Sequence, residues 1–138
     1  PNFWAIKEAS GSVEKMKKYL ASAGAGKVYC GDDGLFPSFA AAGASGLVSV
    51  AGNTWPIETN KYVELTLSNK LGNDHPWAEA SDSLFCASNP VPAKALLCIE
   101  NRIAHDTMMP PLSTRDLRDP GLLIRSTEQI RNWYKQTK

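Results

Sequence analysis

The chain has 138 residues, 43% of them hydrophobic and 21% charged, the balance of a globular unit with its own core and not of a disordered or fibrous segment. Fifteen basic against fourteen acidic side chains leave a formal charge of +1, and no long Lys/Arg stripe forms, which argues against nucleic acid as a partner. No apolar run approaches the roughly 18 residues of a membrane span and no N-terminal signal pattern is found, so the sequence predicts a protein that is neither membrane-bound nor secreted.

The first third alternates short apolar runs with helical patterns, the sign of βαβ units and parallel strands. Residues 3–6 read as a strand that places Lys7 where the strand becomes a loop. Ser10-Gly11-Ser12 offers a helix cap, and Val13, Met16 and Leu20 recur on one helical face that ends near Gly24. Lys15, Lys17 and Lys18 lie late in that helix and read as a solvated face. Residues 27–30 form a second strand closed by Gly31-Asp32-Asp33-Gly34, and a small-residue helix over 35–42 tolerates Pro37 in its first turns. Residues 46–51 read as a third strand.

From Pro56 the pattern turns helical. A helix spans 57–69, and a second spans 77–85 with Trp77, Ala80, Ser81, Leu84 and Phe85 as its inward stripe. Asn89-Pro90 pairs a capping residue with a proline at the first helical position, starting a helix through Ala95, Leu96, Leu97 and Ile99 that Asn101 would end in the left-handed conformation. Residues 108–118, with Pro110-Pro111, read as a loop before a last helix carrying Leu123, Ile130, Trp133 and Tyr134. The chain therefore divides into a βαβαβ part, 1–54, and a helical part, 55–138.

Several possible chemistries fail on spacing. Cys30, Cys86 and Cys98 contain no CxxC pair, so neither a disulfide framework nor a zinc site is predicted, and a reducing, cytoplasmic compartment is the simplest one. His75 and His105 lack the spacing of metal ligands and read as cap or surface residues. Ala23-Gly24-Ala25-Gly26-Lys27 is not a phosphate loop, because Val28 stands where Ser or Thr is required. Asp32 and Asp33, without a histidine or third carboxylate nearby, read as a helix cap and turn, and no metal is expected.

Four segments carry a resemblance. They are Ala5-Ile6-Lys7-Glu8-Ala9-Ser10-Gly11, Gly31-Asp32-Asp33, Gly46-Leu47-Val48-Ser49-Val50-Ala51-Gly52-Asn53, and Leu84-Phe85 with Ser88-Asn89-Pro90-Val91-Pro92-Ala93-Lys94. In order and spacing they resemble the dihydrodipicolinate synthase family, within the Schiff-base aldolases that also include N-acetylneuraminate lyase. The resemblance runs from about residue 1 to 112 and corresponds to the C-terminal half of a family member. It implies the last three parallel strands of a (β/α)8 barrel followed by a helical region, in agreement with length, since a whole barrel takes about 250 residues. The chain departs from the family pattern at Met109-Pro110-Pro111-Leu112, where an Arg-x-Pro-Leu-like motif is usual, and at Asn101, where glycine is usual.

The resemblance also implies chemistry. Lys7 would attack the carbonyl of pyruvate, and the resulting imine would act as the electron sink with no other cofactor; the attack needs a neutral amine. Gly31 would line the keto acid and Val48 would face it with its backbone carbonyl, while a plain turn glycine and a plain buried strand valine are the competing readings. Asn89 would lie near the pocket of the second substrate, aspartate semialdehyde, although capping also explains it, and Lys94 reads as structural. The family's tyrosine relay, carboxylate-holding hydroxyls and second-substrate arginine all precede the lysine strand, so the chain alone is expected to be inactive, with a complementing N-terminal barrel half or self-association as the expected partnership. A non-catalytic assembly module and a sister aldolase are the alternatives.

Overall fold

A computed structural model describes residues 2–24 and 26–137. In chain order the elements are β1 (Ala5–Glu8), α1 (Val13–Ser22), β2 (Lys27–Cys30), α2 (Phe36–Ala41), α3 (Ala51–Thr54), α4 (Pro56–Leu67), α5 (Trp77–Asp82) with a 3-10 turn (Ser83–Phe85), α6 (Val91–Ile99), a 3-10 turn (Thr114–Asp116) and α7 (Pro120–Gln136). The fold is α/β with a short parallel sheet.

β1 and β2 pair in parallel with Ile6 opposite Val28 and Lys7 opposite Tyr29. The expected third strand is corrected: only Leu47 forms a bridge, parallel to Cys30. The segment lies beside β2, with Cys30 N–H donating to the Gly46 carbonyl at 2.9 Å and Val48 N–H to the Cys30 carbonyl at 2.8 Å. It stops there because the next amides, Val50 and Ala51, donate to the Asp33 carboxylate and the chain turns into α3. The first strand also shifts from 3–6 to Ala5–Glu8, which puts Lys7 inside it, one residue from its end.

Helix ends follow local chemistry. Ser12 caps α1 by accepting from the Lys15 amide, and Asp119 caps α7 by accepting from Leu122. Asn101 takes φ 56° as expected, and Arg102 and Asn101 donate to the carbonyls of Leu97 and Cys98, the paired bonds of a Schellman ending. Asn69, at φ 55°, closes α4 in the same way through Lys70 to Leu65 and Asn69 to Thr66. Two details of the helical part differ from expectation. Phe85 is exposed, because the 3-10 turn ends the helical phase that would have carried it inward. α6 begins at Val91 with no side-chain cap, so Asn89 does not perform the capping role.

One cluster of buried side chains runs from Met16 of α1 through Val28, Phe36, Phe39, Trp55, Tyr62 and Trp77 to Ile130 and Trp133 of α7. At its centre Trp77 stacks on Tyr62 with centroids 4.2 Å apart and meets Trp55 and Trp133 edge-on. Such pairs add about 0.5–1.5 kcal/mol each beyond the area they bury. The Trp55 indole donates to the Thr127 hydroxyl at 3.0 Å, joining the start of α4 to α7. This aromatic wedge holds the helices against the back of the sheet.

Candidate active site

Strand alternation sorts the sheet residues onto two faces. Ile6 and Glu8 of β1, with Val28 and Cys30 of β2, face the helices; Val28, Cys30 and Glu8 are buried. Lys7 and Tyr29 point the other way, and because Leu47 pairs with Cys30, Gly46 and Val48 fall on the Lys7 side. That face is open: Lys7 is exposed and Val48 is 43% exposed. The Lys7 amine has no hydrogen-bond or ion-pair partner among the described residues.

The acid next to it in sequence does not neutralise it. Glu8 lies on the opposite face, buried, and its carboxylate accepts from the Ser10 amide at 2.6 Å to shape the turn after the strand. The strand positions that share the Lys7 face carry no carboxylate or imidazole.

Gly31 is held against Lys7. Its N–H donates to the Glu8 carbonyl at 2.7 Å, extending the ladder, and a Cβ built on it would stand 2.7 Å from both Lys7 Cε and Ala9 Cβ. Its φ is outside the left-handed region, so the glycine answers a need for clearance and not for an unusual turn. Gly46 is similar: a Cβ there would meet the Tyr29 ring at 3.0 Å, and that ring also meets Trp4 edge-on. Val48 lies on the same face with its carbonyl accepting no hydrogen bond among the described residues. Lys7, Gly31 and Val48 are thus brought onto one side of the sheet.

Asp32 and Asp33 shape turns, as the sequence suggests. Asp32 accepts from the Leu35 amide at 3.2 Å. Asp33 is almost fully buried and accepts from the Ser49 hydroxyl and from the amides of Val50 and Ala51. Burial pushes its carboxyl above the usual 3.8, against the opposing pull of those three donors. The Tyr62 hydroxyl donates to the Asp33 carbonyl at 2.9 Å, and burial raises that phenol as well. Burial likewise pushes the Cys30 thiol up to about 11, so it is an inert core group. The sequence signals the link from Asp33 to Ser49 and Tyr62 only through an acid three residues past a strand end.

The remaining candidates fall outside this face or serve the scaffold. Asn89 is exposed at the entry to α6. Lys94 donates to the Thr107 carbonyl, tying α6 to the following loop. His75 accepts from the Trp77 amide through Nδ1 at 3.4 Å, a cap for α5. Among the described residues no group of three His, Cys, Asp or Glu side chains is placed to hold a metal, and no helix is long and apolar enough to cross a membrane.

Comparison with known proteins shows the family of the chain. The family model described as the dihydrodipicolinate synthetase family matches residues 1–119. The 4-hydroxy-tetrahydrodipicolinate synthase of Wolbachia pipientis from Culex pipiens is 43% identical over 98% of this chain and 46% of its own length. That of Francisella tularensis subsp. novicida is 38% identical over 97% and 46%. The solved 4-hydroxy-tetrahydrodipicolinate synthase of Methylacidiphilum fumariolicum SolV superposes with a TM-score of 0.77 at 30% identity, over 95% of this chain and 45% of that one. A chloride-inhibited dihydrodipicolinate synthase from Acinetobacter baumannii, solved with pyruvate, superposes with a TM-score of 0.69 at 28% identity, over 98% and 45%. The chain spans about half the length of the curated relatives it matches. With the family model matched over most of its length, this chain belongs to the dihydrodipicolinate synthetase family.

Proposed function

We propose that Lys7 is the Schiff-base lysine of a pyruvate-dependent synthase that condenses pyruvate with aspartate semialdehyde, and that this segment supplies the lysine side of a barrel active site. The observation that carries the reading is the Lys7 amine, without a partner among the described residues, on the same sheet face as Gly31 and Val48. Relatives named as 4-hydroxy-tetrahydrodipicolinate synthases support the choice of substrates over those of a sister aldolase, and one solved with pyruvate supports the keto acid.

The neutral amine attacks the keto carbon of pyruvate, and loss of water leaves a protonated imine. That imine withdraws electrons from the adjacent methyl group, which gives up a proton to a base and becomes an enamine carbon. The enamine attacks the aldehyde carbon of the second substrate, and hydrolysis frees the lysine. Gly31 keeps the path of the Lys7 side chain clear, and the unpaired Val48 carbonyl offers the imine end a fixed acceptor.

Two requirements are unmet on this face. Among the described strand residues, no carboxylate or imidazole stands on it to move protons, and Lys7 and Lys27 are its cations for a substrate carboxylate. General acid–base help is worth about 10² to 10⁴ in rate. The 138 residues by themselves therefore form the imine but do not turn over, and turnover needs further strands, from the same polypeptide or from another. The edge of β1, which pairs only with β2 among the described residues, is where such strands attach.

The test is complementation. The part of the Wolbachia synthase that precedes the matched region is mixed with this chain, and condensation of pyruvate with aspartate semialdehyde is followed. Activity that appears on mixing and vanishes with Lys7→Ala is the expected result. Activity that survives Lys7→Ala, or no activity from a well-folded mixture, would overturn the proposal.

A further inference from the structure

We infer that Asp33 is a positioning residue for Lys7 chemistry: its buried carboxylate ties the loop after β2 to the loop after Leu47 and thereby fixes the backbone at Val48. The inference rests on the reading of Lys7 given above, but assigns a role to a residue outside the reacting face.

The geometry is a clamp. One carboxylate oxygen of Asp33 accepts from the Ser49 hydroxyl, and the other accepts from Val50 N–H at 2.9 Å and Ala51 N–H at 3.3 Å. Ser49 in turn accepts from the Gly52 amide at 2.7 Å, so residues 49–52 are wrapped around a single acid. Val48 is the residue immediately before that wrap, and its own N–H is fixed to Cys30 at 2.8 Å. With both sides held, the Val48 peptide has little freedom to rotate, and its carbonyl accepts no hydrogen bond among the described residues.

The other end of the clamp is also anchored. Asp33 follows Gly31 by two residues, and the Lys7 side chain fills the space that a Cβ on Gly31 would need. Tyr62, buried in the aromatic core, donates to the Asp33 carbonyl. The site is therefore referenced to the core of α4 and α5 through one residue.

Stability alone is a poor explanation for this acid. A buried carboxylate without a cation is costly; no cation pairs with Asp33 among the described residues, and its three donors compensate burial only in part, since its carboxyl still sits above 3.8. A neutral serine or asparagine caps a short turn without that cost. What only a carboxylate provides is two oxygens that accept three donors at once, which is what fixing a four-residue turn requires.

The test compares the chain with Asp33→Asn and Ser49→Ala by amide hydrogen exchange, and by borohydride trapping of pyruvate on Lys7 measured against the exposed Lys15, Lys17 and Lys18 in the same molecules. Asp33→Asn is expected to speed exchange at Val50 and Ala51 by about tenfold or more, leave α4 and α7 near their original rates, and lower the relative labelling of Lys7 by about tenfold. Ser49→Ala, which removes one arm and is well tolerated sterically, is expected to change both readouts in the same direction by less. Exchange that is unchanged, or that rises equally through α4 and α7, would overturn the role; so would local loosening with Lys7 labelling unaltered. Absence of labelling in the unsubstituted chain would overturn the Schiff-base reading alone, since the exchange pattern judges the Asp33 clamp independently.

Discussion

Lys7 Cε occupies the space that a side chain on Gly31 would need, at 2.7 Å from where its Cβ would stand. The same Cβ would press on Ala9 at 2.7 Å and on the Glu8 carbonyl at 3.1 Å. A lysine tip can swing away, but the Ala9 methyl and a backbone carbonyl cannot without moving the strand end.

Gly31→Ala should therefore be overpacked, at a cost of about 1–3 kcal/mol in stability, and should displace Lys7 from the line along which it meets pyruvate. The expected outcome is a lower urea midpoint together with loss of Lys7 labelling by pyruvate and borohydride. Equal labelling in the variant would show that the close approach has no bearing on the amine.

The indole of Trp55 and the hydroxyl of Thr127, both buried, form the bond that ties the start of α4 to α7. Thr127→Val keeps the volume but leaves the indole N–H unpaired in the core, a loss of about 1–3 kcal/mol. Removing both partners, with Trp55→Phe added, should cost less than the sum of the two single changes. Urea denaturation of the four proteins measures this directly.

Acid should weaken the chain through His75. Burial holds its imidazole below the ordinary 6.5, and the neutral ring accepts from the Trp77 amide. The unfolded chain takes up the proton first as pH falls through 6.5, so the stability tied to His75 is present above that value and is lost on further acidification towards the depressed folded one. His75→Gln should flatten this part of the stability profile, and an unaltered profile would contradict the assignment.

Asp33 should act with the opposite sign and lower on the pH scale. Its folded carboxyl sits above 3.8 because it is buried, so the stability tied to its proton is full below 3.8 and is lost as pH rises through the folded value. Relative to Asp33→Asn, the unsubstituted chain should gain stability on acidification across that window. A gap between the two that widens against the unsubstituted chain would show that the buried acid is stabilised as its anion.

Much of this was legible beforehand, for local reasons. β2 lies at the expected residues, Ser12 caps α1 and Asn101 ends α6, because capping oxygens and left-handed asparagines act within a turn of their own position. The shared face of Lys7, Gly31 and Val48 rests on the pairing of Lys7 with Tyr29 and of Leu47 with Cys30, a register that the sequence does not set. The third strand was not legible either. Apolar Leu47, Val48 and Val50 read as strand, but Asp33, 17 and 18 residues earlier, takes the Val50 and Ala51 amides that would have continued the ladder. Phe85 looked inward under a continuous helical period that the 3-10 turn breaks. In each case a contact between distant residues overrode a sound local pattern.

On the reading proposed above, Lys7 forms an imine with pyruvate in preference to every other lysine. The measurement is peptide mass spectrometry after incubation with pyruvate and reduction by borohydride, with Lys7→Ala as the control. An adduct concentrated on Lys7, absent from the control and weak on the exposed Lys15, Lys17 and Lys18 of α1, is the expected result. Labelling spread evenly over the exposed lysines, or none on Lys7, would contradict it.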